Sequence, residues 1–146
     1  MAAGAWQVFR RAKTKLANGL FDLDTNTFKM ALCTDAQALT DDFAGSSTDC
    51  RYADLTAEVA AGGGYTKGGK TLTPTWTRSG ATVTFDVADE AWTSSTITAK
   101  YAVIYADNAG NDDLLCFCEL DTVTSVSTVS GTLTVAINAS GVFTLA

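Results

Sequence analysis

Between Ile97 and Tyr105 apolar side chains occupy both parities of the chain, and this restricts the fold more than any other feature. One parity carries Ile97, Ala99, Tyr101, Val103 and Tyr105; the other carries Thr98, Lys100, Ala102 and Ile104, polar at first and apolar at its end. A strand with one apolar face and a second half-apolar one belongs near the centre of a sheet, covered from both sides. Asp107 to Asp113 follows, dense in turn formers. The chain then returns with Leu114, Cys116, Cys118 and Leu120 on one parity and Leu115, Phe117 and Glu119 on the other. The reading is a long central hairpin, whose faces can be buried only if other strands cover them.

The rest of the chain supplies candidates. Thr27–Thr34 reads as a strand with Phe28, Met30 and Leu32 inward. Asp35–Asp49 reads as a loop, and Tyr52–Ala60 as a short strand or helix. Lys70–Arg78 is a strand that Pro74 confines to an edge or a bulge. Ser79-Gly80 makes a tight hairpin into Ala81–Ala88, with Val83, Phe85 and Val87 inward. Asp89–Trp92 links onward. Val123–Val129 is a weak strand, Thr132–Asn138 alternates cleanly through Leu133, Val135 and Ile137, and Val142–Leu145 follows. Charged residues are only 18% of the 146 and apolar residues 47%, with Thr alternating against the apolar positions. Turns every eight to twelve residues in a chain of this length predict one all-β domain: a β-sandwich of about eight short antiparallel strands with one N-terminal amphipathic helix. No apolar run is long enough for a transmembrane helix.

That helix is expected over Ala2–Asn18, from the spacing of Trp6, Phe9, Lys13 and Leu16 and the stop signal Asn18-Gly19. Four of the ten basic residues, Arg10, Arg11, Lys13 and Lys15, precede the first acid, Asp22, although the net charge is −6. Residues 1–19 thus read as a basic amphipathic arm and 20–146 as the sandwich. The helix either docks on its own domain or reaches a neighbouring subunit. In the second case Trp6 and Phe9 are the anchors, and Arg10, Arg11, Lys13 and Lys15 are the complementary charges. The acidic balance argues against nucleic acid as a partner. The early basic residues also argue against a signal peptide.

Residue types for chemistry are sparse. The chain has no His, which removes Ser-His and Cys-His nucleophile pairs and histidine metal ligands. The acid pairs Asp41/Asp42, Asp89/Glu90 and Asp112/Asp113 fall in predicted loops. The segment Asp107–Asp113 offers oxygens for Ca²⁺ but lacks the EF-hand spacing and its closing Glu. Gly62–Gly69 lacks the phosphate-loop order and reads as a wide turn or bulge before a strand. Cys33, Cys50, Cys116 and Cys118 include no C-x-x-C and read as buried reduced thiols. Trp76, Trp92, Tyr101 and Tyr105 serve as core and rim residues, or alternatively as a sugar-binding platform. No catalytic, cofactor or metal residue is assigned, and an enzyme is not expected.

Three motifs carry a resemblance. Gly64-Tyr65-Thr66-Lys67-Gly68-Gly69-Lys70-Thr71-Leu72, then Trp92, then Thr98-Ala99-Lys100-Tyr101-Ala102-Val103-Ile104-Tyr105 resemble a family of small structural proteins of tailed bacteriophages and prophages. There a G-Y-T-x-G-G-x-x-L stretch precedes a hairpin and a T-A-[KR]-x-[AV]-[VI]-[IV]-Y strand follows a Trp. The short basic helix, a Gly, and Asp22-Leu23-Asp24 before a Phe-Lys strand are also similar. The resemblance spans roughly Val8 to Leu120 and brings no catalytic or ligand residues. It implies a virion component assembled in the bacterial host cytoplasm, with other virion proteins as partners. A capsid decoration (cement) protein bound between subunits of the major capsid protein is the favoured role, as a homo-oligomer with a trimer favoured. A head–tail connector, neck or tail component is the alternative, and a soluble lectin-like module the alternative of another class. No membrane partner is expected.

Overall fold

The computed structural model describes residues 3–108 and 111–146. Among them are twelve strands and one α-helix, α1 (Arg10–Ala17). The strands are β1 (Gln7–Val8), β2 (Phe28–Cys33), β3 (Lys70–Thr71), β4 (Pro74–Ser79), β5 (Thr82–Val87), β6 (Glu90–Ser95), β7 (Thr98–Ala99), β8 (Tyr101–Ala106), β9 (Leu114–Glu119), β10 (Val126–Ser127), β11 (Gly131–Val135) and β12 (Phe143–Leu145). Eight of these are three residues or longer. All pairings are antiparallel, so the fold is all-β with a single helix. A five-stranded sheet runs β1-β9-β8-β2-β3 and a three-stranded sheet β12-β5-β4, with two-stranded ribbons β11-β6 and β10-β7.

β8 is the middle strand of the larger sheet and is buried at every position, as apolar residues on both parities require. Its register separates two faces. Ile104 lies opposite Met30 and Cys116, and Ala102 opposite Leu32 and Cys118. Val103 lies opposite Ala31 and Phe117 on the other face. The first face meets the smaller sheet, where Phe28 packs edge-on against Phe85 at 5.6 Å between ring centres. Among the described residues, the rings stacked on the second face come from outside the strands. Phe9 stacks on Phe117 at 4.9 Å, and Tyr52 stacks on Tyr105 at 4.6 Å. The helix and the irregular segment after β2 therefore form the lid that further strands were expected to provide.

A lid made of loop must satisfy its own polar groups. Buried Asp54 does so for residues 46–51. It accepts from the Ser47 N–H (2.8 Å) and hydroxyl (2.5 Å), the Arg51 N–H (2.9 Å) and the Ser46 hydroxyl (3.3 Å). Burial opposes ionisation of this carboxyl, but those donors outweigh it and hold its pKa below the ordinary value.

The N-terminal segment differs from the helix expected over Ala2–Asn18. Gln7 and Val8 pair with Phe117 and Cys116, Gly4 N–H donates to Glu119 O (2.8 Å) and Phe9 N–H to Leu115 O (3.1 Å). The cause is the open edge of β9, whose backbone groups need partners. The helix starts only at Arg10, with Phe9 at φ −59°, ψ 140° before it. It ends where the stop signal placed it. Gly19 sits at φ 70°, with Leu20 N–H on Lys15 O and Gly19 N–H on Leu16 O, a Schellman cap. Phe9 and Ala12 are fully buried in the same core as β8, so this segment is no free arm. Smaller differences follow the same logic. The strand expected over Ile97–Tyr105 breaks at Lys100, so that β7 pairs with β10 while β8 enters the larger sheet; Lys70–Arg78 divides before Pro74, whose strand β4 does lie at a sheet edge, and Asp89–Trp92 belongs to a strand, β6.

Replacing Phe9 with Ala should cost about 3–5 kcal/mol, as for other large core aromatics. Urea unfolding measures it. A chain starting at residue 20 should lose cooperative unfolding, because β9 would lose its edge strand and Phe117 its stacked ring. A truncated chain with full stability would refute this account of the core.

Candidate functional site

The glycine-rich motif forms a lock around one carboxylate. Glu58 Oε1 accepts from the Tyr65 hydroxyl (2.8 Å) and the Gly68 N–H (2.7 Å), and Oε2 accepts from the Tyr52 hydroxyl (2.5 Å). Tyr65 Oη in turn accepts from Leu32 N–H (3.0 Å) on β2, and the Tyr105 hydroxyl donates to Gly68 O (2.8 Å). The loop thus joins the two central strands through side chains. Gly69, at φ 73°, runs so close to β2 that a Cβ would strike the Met30 carbonyl oxygen. Burial is the first cause that pushes the phenols of Tyr52, Tyr65 and Tyr105 well above their ordinary pKa; for Tyr52 and Tyr65 the Glu58 charge adds to it. Both carboxylate oxygens are occupied and the phenols stay neutral, so the cluster offers no free acid or base. Sequence reading missed Glu58. Its signal was modest: the sole charge between Leu55 and Tyr65, followed by the glycines.

The six residues proposed for protein interaction scatter. Phe9 is inside the core. Arg10 Nε donates to Asp41 Oδ2 (2.9 Å), and Arg11 Nε to Thr48 O (2.9 Å), with its Nη1 3.5 Å from Asp42 Oδ1. Lys15 is largely buried, paired with Asp113 and donating to Asp49 O (2.6 Å). Three of the helix's four positive charges are thus spent within the chain, on the 41–49 loop and on Asp113. Lys13 is exposed and has no ion pair among the described residues, while half-buried Trp6 faces a groove described below.

Other candidate groups are likewise engaged. Asp89 Oδ1 accepts from Ile137 N–H (2.7 Å), and Glu90 lies 3.7 Å from Lys70 Nζ. In the oxygen-rich turn, Asp107 pairs with Lys29 (2.8 Å); Ala109 and Gly110 there lie outside the described residues. Among the described residues no three His, Cys, Asp or Glu gather as a metal ion requires. All four cysteines are buried and unpaired. Burial pushes the thiols of Cys33, Cys50 and Cys118 up to about 12 and that of Cys116 well above its ordinary value, which makes them inert. Of the four aromatics considered as a sugar platform, Trp92, Tyr101 and Tyr105 are buried. Trp76 packs on Phe85 (4.7 Å) and donates its indole N–H to Leu23 O (2.8 Å).

A groove of about 860 Å³ lies between residues 3–6 and residues 133–138, over Cys118, Leu120, Val126 and Val142. None of its lining residues is charged. It collects two parts of the chain that share this property: no charged side chain precedes Arg10 and none follows Asp121. Val123 and Val129, either side of β10, are 82% and 83% exposed.

Two predictions test the lock. Gly69→Ala and Gly80→Ala both force a side chain into a left-handed backbone, costing roughly 1–2 kcal/mol. Only Gly69 also meets β2, whereas nothing lies near Gly80. Thermal melts should therefore show the Gly69 variant much the weaker. For pH, all four tyrosines have raised pKa values in the folded chain, with burial as the main cause. Unfolded phenols ionise near pH 10, so stability is intact below about that pH and falls as pH rises beyond it. Tyrosinate absorbance should appear only together with unfolding. Reversible ionisation near pH 10 in the folded protein would contradict the assignment. Comparison with models of known protein families, with curated proteins and with solved structures finds no match to this chain.

Proposed function

We propose that this chain is a structural protein of a tailed bacteriophage particle, with capsid decoration as its role. The resemblance of the Gly64–Leu72 and Thr98–Tyr105 motifs, together with the work those residues do, carries the virion reading; the position in the particle is what the experiment below decides, with decoration as the role put to the test. Tyr65, Gly68, Gly69 and Tyr105 fasten the central sheet, and none is presented for chemistry. Arg10 and Lys15 are paired within the chain, and the groove over Cys118 and Val126 has no charged residue in its lining. Contact with neighbouring virion proteins then rests on an uncharged β surface rather than on a basic arm.

Antibodies raised against the purified protein test this by immunogold electron microscopy of particles whose genome encodes the chain. Gold over the whole head surface is the expected result. Gold confined to the neck or tail would replace decoration with a connector or tail role. Particles without gold, with the protein left in the soluble fraction, would overturn the virion reading.

A further inference from the structure

Part of the lid over β8 is a strap held shut by one carboxylate. Residues 44–51 run between two anchored rings: Phe43, 6.3 Å from Phe9, and Tyr52, stacked on Tyr105. Between those rings the strap forms no helix or strand, and Cys50 is its one buried side chain. Its backbone is held where ordinary residues rarely sit. Thr48 and Cys50 lie at φ 62° and 59°, in the left-handed region, where a side chain crowds the following carbonyl. Gly45, at φ 71°, runs so close to Asp54 that a Cβ would overlap its side chain. A strained segment with so little apolar burial stays closed only while its polar contacts outweigh the strain.

Those contacts differ in their response to acid. Arg11 and Lys15 of α1 donate to Thr48 O (2.9 Å) and Asp49 O (2.6 Å), and Leu114 N–H donates to Cys50 O (3.0 Å). These acceptors are backbone carbonyls, which do not titrate. The carboxylates around the strap are Asp41, Asp42 and Asp49 in the loop, Asp112 and Asp113 before β9, and Glu58, which bears on the Tyr52 anchor. Asp41, Asp42 and Asp113 pair with Arg10, Arg11 and Lys15, and Asp49 with Arg51 (3.0 Å). Among the described residues only the Asp54 carboxylate accepts from N–H groups of the strap, those of Ser47 and Arg51.

We infer that Asp54 is an acid-sensitive latch: protonation of its carboxylate frees the strap, which opens and uncovers Cys50 while the sheets stay folded. A protonated carboxyl loses the charge that strengthens its hydrogen bonds and turns one acceptor into a donor among donors. The strain at Thr48 and Cys50 is then unopposed. The ladders of β2, β8 and β9 contain no titrating group. The folded carboxyl ionises below its ordinary pKa, so the latch is closed above the unfolded value of about 4 and is lost as pH falls through the folded one.

Thiol labelling of the full chain with dithiodipyridine, which reacts in acid as well as at neutral pH, tests the latch. Rates are taken relative to a cysteine peptide at the same pH, and peptide mass spectrometry assigns the sites. Cys116 and Cys118, on the face toward the smaller sheet, report on the sandwich. Between about pH 6 and about pH 2, Cys50 should gain about tenfold or more in reactivity before Cys116 or Cys118 reacts. Asp54→Asn keeps the shape and removes the charge. It should expose Cys50 to the same extent at neutral pH, with no other carboxylate altered. If that variant does not fold, the acid titration of the unaltered chain decides alone. Two results overturn the inference: Cys50 gaining reactivity only together with Cys116 and Cys118, or a folded Asp54→Asn chain in which Cys50 reacts as slowly as before.

Discussion

A strand that is buried on both faces dictates most of this structure. β8 leaves no position for water, so each side needs a cover, and the two covers differ in kind. The smaller sheet supplies Phe85 on one side and brings its own paired backbone. On the other side lie a short helix and a long irregular segment, whose backbone must find partners without a ladder. That requirement explains the carboxylates at positions 54 and 58. Each collects donors from a stretch that would otherwise bury unpaired N–H or hydroxyl groups. Polar networks of this sort are strong when complete and costly when broken. They tie loop conformation to the hydrophobic core.

What could be read in advance was whatever depends on neighbours along the chain. The two parities of Tyr101–Tyr105 placed β8 at the centre of its sheet, although the single strand read over Ile97–Tyr105 breaks at Lys100 and Thr98–Ala99 pairs instead with β10; Pro74 marked an edge or a bulge and Ser79-Gly80 a hairpin. The cap at Gly19 followed from Asn-Gly. What could not be read depends on partners far away. Trp6 and Phe9 fit a helical spacing, but the vacant edge of β9 draws residues 7–8 into a strand, and nothing local announces that edge. β6 buries only Trp92 and Ser95 and carries Ser94 at φ 49°, so its alternation is broken and it read as a link. Glu58 becomes a hub only once Tyr52, Tyr65 and Gly68 converge on it from separate turns.

Charge has a similar history. The basic start and acidic body pointed to attraction between molecules. The structure spends that attraction inside one molecule, with Arg10, Arg11 and Lys15 holding the 41–49 loop and Asp113. Exposed pairs such as Arg10–Asp41 contribute little stability, while Lys15–Asp113, mostly removed from water, fixes how the helix lies across the sheet. The informative charge pattern was the absence of charge at both ends of the sequence, which the fold gathers around one groove.

The pairing of Gln7 with Phe117 also has a consequence in time. During synthesis the segment around Phe9 must remain unpaired until β9 has left the ribosome, with its aromatic and aliphatic side chains in water meanwhile. Contacts between such distant residues close large loops, which slows folding relative to a domain rich in local contacts. Until the pairing forms, β9 presents an apolar edge to any other strand in reach. The nascent chain is therefore most vulnerable to aggregation while β9 lacks its edge partner, and a chaperone that shields β9 in that interval would raise its yield more than one acting on the folded protein.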